Sequence, residues 1–107
     1  MARAPFTTAI VRFRLRPGIR LDEALGEIRH TVPVYQAEPE LVRKQISLDI
    51  EGGEGRSVYL WRDRAAAERF FARASEMIRA QTGFAPEVEL LDTYVVVDND
   101  TGEAVFP

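Results

Sequence analysis

Apolar and polar residues alternate from Ala9 to Leu15, a pattern that is typical of a half-buried β-strand. One side of this strand carries Ala9, Val11, Phe13 and Leu15. Pro17 and Gly18 end the strand because they favour a turn. After them, apolar residues recur at helical spacing, which predicts an amphipathic helix from Leu21 to Val32.

The predicted first helix has an apolar stripe on one side. The stripe consists of Leu21, Leu25, Ile28 and Val32. Asp22 and Glu23 lie near the positive end of the helix dipole, where carboxylates stabilise a helix. Pro33 disturbs the last turn because proline lacks an amide hydrogen, so we predict that the stretch from there to Pro39 is irregular or a short distorted helix.

Two strands joined by a loop follow this helix. The first strand runs from Leu41 to Ile50. One of its faces carries Val42, Lys44, Ile46, Leu48 and Ile50. Lys44 therefore interrupts an otherwise apolar face. The loop of residues 51–56 suits a hairpin connection, so we predict that the strand from Ser57 to Trp61 is an antiparallel neighbour.

A second helix and a last strand come next. Asp63 is a good N-cap because its carboxylate can accept hydrogen bonds from first-turn amides. The apolar stripe of this helix consists of Ala67, Phe70, Phe71, Ala74, Met77 and Ile78. Gly83 and Pro86 end the helix. We predict a last strand from about Val88 to Val97 and a turn over residues 98–102, followed by a short extension.

The order of these elements is strand, helix, strand, strand, helix, strand. It predicts an α+β fold of the ferredoxin-like βαββαβ type, with an antiparallel sheet and both helices on one face. We assign residues 1–107 to a single domain, with a core over about residues 7–98 and a C-terminal extension over 99–107. Leu91, Val95 and Val97 would leave an apolar patch on the other face of a monomer, so we predict a homodimer that packs sheet to sheet.

The composition limits the classes of partner. A chain of 107 residues has room for one domain, and its net charge of −3 disfavours nucleic acid, which requires a basic surface. The chain has no cysteine, which excludes disulfides, thiolate nucleophiles and thiolate metal ligands. No apolar run approaches the roughly 20 residues of a membrane helix, and the N-terminus lacks the apolar segment of a signal peptide. We expect a cytoplasmic protein with no membrane or nucleic-acid partner.

Two further motifs favour ordinary structural interpretations. The glycine-rich residues 51–56 resemble a phosphate-binding loop, but they include two glutamates and connect a strand to a strand, not to a helix. We interpret them as a hairpin loop. Asp98, Asp100 and Glu103 resemble part of a calcium-binding loop, but the flanking helices and the final bidentate carboxylate are missing. We interpret that stretch as a turn.

Two titratable residues are candidates for catalysis. His30 is the only histidine, so we predict no metal site. A helical wheel directs it away from the apolar stripe, which favours a solvated side chain, while distortion at Pro33 leaves a role as proton acceptor open. Lys44 has apolar neighbours on its face. Two interpretations stay open. Lys44 belongs to a binding or catalytic site, where its amine has a lowered pKa or an anionic partner, or it lies near the start of the strand and extends its amine into water.

Tyr59 and Trp61 share one face of their strand. If that face points to the helices, these two side chains meet further aromatic residues, namely Phe13, Tyr35, Phe70 and Phe71. Two interpretations stay open: a solid aromatic core, or a largely apolar pocket for a small apolar or aromatic ligand, with the Lys44 amine as one of its polar groups. RNA-binding domains of this topology also carry aromatic residues on this strand. Their signature has Lys or Arg followed by Gly before the aromatic residues, and residues 55–61 lack it.

Two segments resemble a known family. EPELVRKQISLD, residues 38–49, is similar to a Glu-Pro-Gly-Leu-x-x-Lys strand entry, and EGGEGRSVYLWRDRAAAERFF, residues 51–71, is similar to a Gly-Gly-x-Tyr-Leu-aromatic strand with a following Ala-rich helix. Through them the chain resembles the dimeric α+β barrel proteins, specifically mono-oxygenases of the YdhR type, which are related to antibiotic-biosynthesis mono-oxygenases. Glu40 replaces the usual Gly, and residues 54–57 separate the Gly-Gly pair from the strand.

The resemblance implies a homodimer through the sheet face, with one pocket per subunit between sheet and helices and with Tyr59, Trp61 and Lys44 at or near it. It also implies a mono-oxygenase that needs no cofactor and acts on a small aromatic or quinol-like substrate, whose carbanion reduces dioxygen directly. Lys44 would stabilise the anionic substrate, and His30 is a candidate base.

The resemblance also leaves other activities on this scaffold open. Haem-degrading relatives use an Asn, a Trp and a His. Trp61 matches the Trp, but the predicted first strand has no Asn and the second helix has no His, so we expect no haem breakdown. A non-catalytic small-molecule-binding or stress-related module, and an isomerase or decarboxylase, stay open as alternatives.

Overall fold

A computed structural model describes residues 4–107 of the chain. Its elements follow the predicted order, with a short hairpin added at the end. The strands of the main sheet are β1 (Phe6–Arg14), β2 (Leu41–Asp49), β3 (Glu54–Trp61) and β4 (Glu87–Thr93). The helices are α1 (Leu21–Gln36) and α2 (Arg64–Thr82). The strands β5 (Val96–Asp98) and β6 (Glu103–Val105) form the hairpin.

The main sheet has the strand order β2-β3-β1-β4, and every neighbouring pair is antiparallel. The two helices pack on one face of it, so the predicted α+β, ferredoxin-like βαββαβ fold is confirmed. The β2–β3 hairpin is also confirmed, but β3 begins at Glu54 and not at Ser57. The strand is longer because Gly55 pairs with both Leu48 and Phe13, which draws the predicted loop into the sheet.

The hydrophobic core lies between the sheet and α2. The buried face of β1 presents small side chains, and the buried face of β3 presents Tyr59 and Trp61. Phe70 and Phe71 of α2 pack against these two aromatics, and the ring centroids of Trp61 and Phe70 are 5.3 Å apart. The alternation of side chains along β3 and the helical spacing of α2 therefore direct the aromatic residues of both elements into one cluster.

Both predicted ends of α2 are confirmed. The carboxylate of Asp63 accepts a hydrogen bond from the amide of Ala65 at 3.1 Å, which satisfies a first-turn donor. Gly83 ends the helix in the left-handed conformation, with φ of 83°, and its amide donates to the carbonyl of Arg79 at 2.8 Å. Glycine adopts this conformation without steric cost.

The first helix differs from the prediction in length and in orientation. It continues through Pro33 to Gln36, and the Ala37 amide donates to the carbonyl of Pro33 at 3.1 Å. Proline removes only one helical hydrogen bond, and the packing of Tyr35 against Tyr59 and Phe70 retains the last turn.

The side of α1 that faces the sheet includes only Ile28 of the predicted stripe. It carries Ala24, Ile28, Thr31 and Tyr35, whereas Leu21, Leu25 and Val32 are exposed. The apolar arc of this helix is broad, and the contacts of Tyr35 select which part of it turns inward.

The predicted last strand is divided into two. β4 ends at Thr93, whose hydroxyl forms a hydrogen bond with that of Thr8, and β5 then pairs with β6. Residues 95–97 lie over the other face of the sheet, above a cavity of about 280 Å³. An ion pair of 2.9 Å between Arg43 Nη2 and Asp98 Oδ2 connects this segment to β2. The turn that follows Asp98 leads into β6, which the sequence predicted only as an extension.

A substitution at Gly55 can test how tightly the sheet face is packed at this position. A Cβ atom at this position would overlap the ring of Phe13, which lies across β3. We expect Gly55→Ala to lower the free energy of unfolding by about 1 to 3 kcal/mol, because the ring would have to move. Urea denaturation measures this change.

Gly26→Ala is the matched control. Gly26 lies in α1 with open space around its Cα, so the same added methyl group meets nothing. We expect it to raise stability by about 0.5 to 1 kcal/mol, because alanine favours a helix. Equal effects of the two substitutions would contradict the packing described for Phe13.

Candidate functional site

A cavity of about 560 Å³ separates α1 from the sheet. Its floor is the helix-facing side of β1, β2 and β3, its roof is α1, and the C-terminal half of α2 closes one side. The aromatic residues in its wall are Phe13, Tyr35 and Tyr59. Ligand sites in proteins commonly have this size and combine apolar walls with polar groups. The cavity is therefore the candidate site for a small molecule.

Lys44 is a cationic side chain on the cavity floor, and Arg14 and Arg16 also line the cavity. The alternation of β2 turns Lys44 toward the helices, directly opposite Tyr59 on β3. Its Nζ atom lies 3.2 Å from the centroid of the Tyr35 ring and 4.5 Å from that of Tyr59. Ring faces attract a cation, so the two tyrosines hold the amine in place. No carboxylate within residues 4–107 forms an ion pair with it.

Burial lowers the pKa of the Lys44 amine to about 7. Removal from water disfavours the charged form of an amine, and no neighbouring carboxylate opposes this effect. The neutral and the charged amine are therefore both present near neutral pH. Lys44 can accept a proton from a ligand, and it can then stabilise the anion that results.

Tyr59 separates the cavity from the aromatic core. Its side chain is buried, and burial together with the nearby Tyr35 raises its pKa above the ordinary value. Its phenol therefore stays protonated at neutral pH. The Tyr59 ring packs against Tyr35 on the side of the cavity, with centroids 6.0 Å apart and ring planes at 69°, and it packs against Trp61, Phe70 and Phe71 in the core.

Three predicted pocket residues lie in the packed core and not on the cavity wall. They are Trp61, Phe70 and Phe71, which stand behind Tyr59. Trp61 is fully buried, and its Nε1 atom has no hydrogen-bond partner among the described residues. The two interpretations of the Tyr59 and Trp61 pair therefore apply to different residues, since Tyr59 lines the cavity and Trp61 fills the core.

His30 is exposed on α1 at the rim of the cavity. Sequence reasoning missed several polar wall residues, among them Thr31 of α1, Ser57 of β3 and Gln81 of α2. Ser57 could have been found, because it stands two residues before Tyr59 and so shares its face. Gln81 gave no such signal, because its position depends on how far α2 extends along the cavity.

Two features are absent from residues 4–107. No group of three or more His, Asp or Glu side chains is placed to hold a metal ion. Neither helix is long and apolar enough to cross a membrane.

The stability of a Lys44→Met variant tests the burial of the amine. An unfolded lysine has a pKa near 10.4, whereas the folded value is about 7, so the unfolded state binds more protons between these values. The cost of burying the charge is complete below about pH 7 and decreases as pH rises. We expect Lys44→Met to be more stable than wild type by on the order of 2 kcal/mol near pH 6, with allowance for partial solvent exposure.

Urea denaturation of both proteins from about pH 6 to about pH 9 measures this difference. We expect the advantage of the variant to shrink steadily as pH rises. A difference that stays constant over this range would show that the amine titrates outside it.

Comparison with known proteins connects this fold to several solved structures. Neither a protein-family model nor a curated protein matches the chain. A structure described as an antibiotic biosynthesis monooxygenase has a TM-score of 0.60 and 24% identity, over 81% of this chain and 97% of that one. SnoaB, a cofactor-independent oxygenase from Streptomyces nogalater, has a TM-score of 0.62 and 18% identity, over 84% and 94%.

A third structure, a protein of unknown function from Nitrosomonas europaea, has a TM-score of 0.66 and 17% identity, over 89% of this chain and 95% of that one. These identities are low, so the likeness concerns the fold. The chain has the fold of antibiotic biosynthesis monooxygenase structures, as the sequence resemblance implied.

Proposed function

We propose that the chain is a cofactor-independent mono-oxygenase that acts on a small aromatic or quinol-like substrate in the cavity between α1 and the sheet. The observation that carries this proposal is the position of Lys44, whose amine is buried on the cavity floor and has no ion-pair partner among residues 4–107. The fold shared with a cofactor-independent oxygenase supports the same class of reaction.

The cavity walls suit such a substrate. Phe13, Tyr35 and Tyr59 offer ring surfaces against which an aromatic substrate can pack. A volume of about 560 Å³ is in the range that drug-sized ligands occupy. We place the acidic group of the substrate beside the Lys44 amine and its rings along the apolar wall.

We propose that Lys44 acts as a general base. Its neutral amine takes a proton from the activated carbon or hydroxyl of the substrate, and the ammonium that forms stabilises the resulting anion. The carbanion forms a C–O bond with dioxygen to give a peroxide, and the O–O bond then breaks, so that the substrate keeps one oxygen atom as a carbonyl and the second leaves as water with two hydrogens of the substrate. His30, at the rim, exchanges protons between the cavity and the solvent.

Oxygen uptake with an anthrone or a quinol tests this role. We expect the wild-type rate to rise with pH through about 7, because only the neutral amine accepts the proton. Lys44→Met removes the base, so we expect a loss of about 100-fold or more. Lys44→Arg should lose as much, because arginine keeps a cation but is not deprotonated in proteins.

Arg69→Met is the matched control, since Arg69 is exposed on α2 and lies outside the cavity wall. It should retain the wild-type rate. Binding of the same compounds without oxygen uptake would favour the alternative of a binding module, and product formation without oxygen uptake would favour an isomerase or decarboxylase. Equal rates in wild type and Lys44→Met would exclude Lys44 as the base.

We further propose that two copies associate through the sheet face that the helices leave uncovered. Leu91 lies on this face and is 45% exposed, and Val97 of β5 is 69% exposed. Neighbouring Tyr94 and Val95 are also exposed. Burial of such a contiguous apolar surface against a second copy removes it from water.

Light scattering tests the dimer. We expect a mass of twice 12.1 kDa for the wild type and a shift toward 12.1 kDa for Leu91→Lys, because a buried unpaired charge opposes association. Leu25→Lys is the matched control, since Leu25 is 46% exposed but lies on α1, on the opposite side of the sheet. Dissociation by Leu25→Lys alone would place the interface on α1 instead.

A further inference from the structure

Lys44 is the only lysine among the 14 Lys and Arg residues of the chain. The arginines supply the charge of the surface, where Arg12, Arg16 and Arg64 form ion pairs with carboxylates. An arginine keeps its proton and is a poor nucleophile, whereas an amine can lose its proton and attack carbon. The one side-chain amine of the protein is therefore the one that faces the cavity.

We propose that Lys44 is a covalent attachment site for small aromatic aldehydes and ketones, which it binds as an imine. The site shares the cavity with the proposed oxygenation but does not depend on it, because imine formation uses no dioxygen. The supporting geometry is an amine that faces 560 Å³ of space, carries no ion-pair partner within residues 4–107 and lies against two aromatic rings.

The reaction balances without a further reactant. The Nζ lone pair attacks the carbonyl carbon, the carbonyl oxygen takes up protons, and the C–O bond breaks to release one water molecule. The product is a C=N bond between Lys44 and the ligand. Desolvation favours this step because it supplies neutral amine near neutral pH, and lysines in apolar pockets are activated in this way in Schiff-base enzymes.

The surroundings of Nζ suit the product as well as the reactant. A protonated imine is a cation at the position of the ammonium, 3.2 Å from the Tyr35 centroid, so the same ring faces stabilise it. The aromatic part of the ligand would extend along Phe13 and Ile46. The hydroxyls of Thr31 and Ser57 lie in the same wall and can transfer protons during loss of water.

Reductive trapping tests the proposal. Wild-type protein is incubated under nitrogen with benzaldehyde and cyanoborohydride near neutral pH, and peptide mapping by mass spectrometry locates the benzyl group. We expect Lys44 to be modified at least about 10-fold faster than N-acetyl-lysine methylamide in the same solution, because the free model amine is almost fully protonated. Modification at the rate of the model amine, or none at Lys44, would overturn the proposal.

Two variants test whether fast labelling depends on the cavity around Lys44 or only on the presence of a lysine in the chain. The double variant Lys44→Met, Arg69→Lys keeps one lysine but moves it to an exposed position of α2, so its lysine should react like the model amine. Tyr35→Leu keeps Lys44 but removes a ring face, and we expect its trapped fraction to fall several-fold. Fast labelling of the relocated lysine would contradict a role for the cavity.

The outcomes for the two proposals can be told apart. Trapping at Lys44 without oxygen uptake by any anthrone or quinol supports the imine site and not the oxygenase. Oxygen uptake that depends on Lys44, with no faster trapping than the model amine, supports the oxygenase and overturns the imine site. Inhibition of oxygen uptake in proportion to benzyl labelling of Lys44 supports one shared site.

Discussion

The packing of β3 against α2 is the contact on which the rest of the structure depends. Tyr59 and Trp61 lie on the helix-facing side of the strand, and Phe70 and Phe71 meet them from the helix. These four rings hold α2 close to the sheet over its first half. The sheet on its other side is covered by neither helix. This aromatic cluster thus sets the position of α2. On the same side of the sheet, the space that α2 does not fill forms the cavity, and the opposite side of the sheet stays exposed.

The first helix is held differently, and the cavity exists for that reason. Tyr35, near its C-terminal end, joins the aromatic cluster through Tyr59 and Phe70. Elsewhere on its sheet-facing side, Ala24, Ile28 and Thr31 carry no aromatic ring that could reach the sheet, and the space below them is unfilled. The contact that fixes the helix therefore also supports Lys44, because the Tyr35 ring covers its amine.

Lys44 links the energetics of the fold to its chemistry. A buried amine without an ion pair costs stability, and a methionine of similar length would fill the position without that cost. The two ring faces offset only part of this cost. A buried amine at a cavity wall, where an apolar residue would fit, is the reason that we propose a role for Lys44 in the cavity.

The sequence by itself determined the order of the elements, the βαββαβ fold, the ends of α2 and the common strand face of Tyr59 and Trp61, because side-chain periodicity and capping are local properties. It could not determine which arc of α1 faces the sheet, why α1 continues past Pro33, or that the last strand divides after Thr93. Tertiary structure decided these points, since they depend on contacts of Tyr35 and Arg43 with residues distant in the chain. It also decided that Trp61 fills the core while Tyr59 lines a cavity, because two side chains of one strand face differ only in what packs above them.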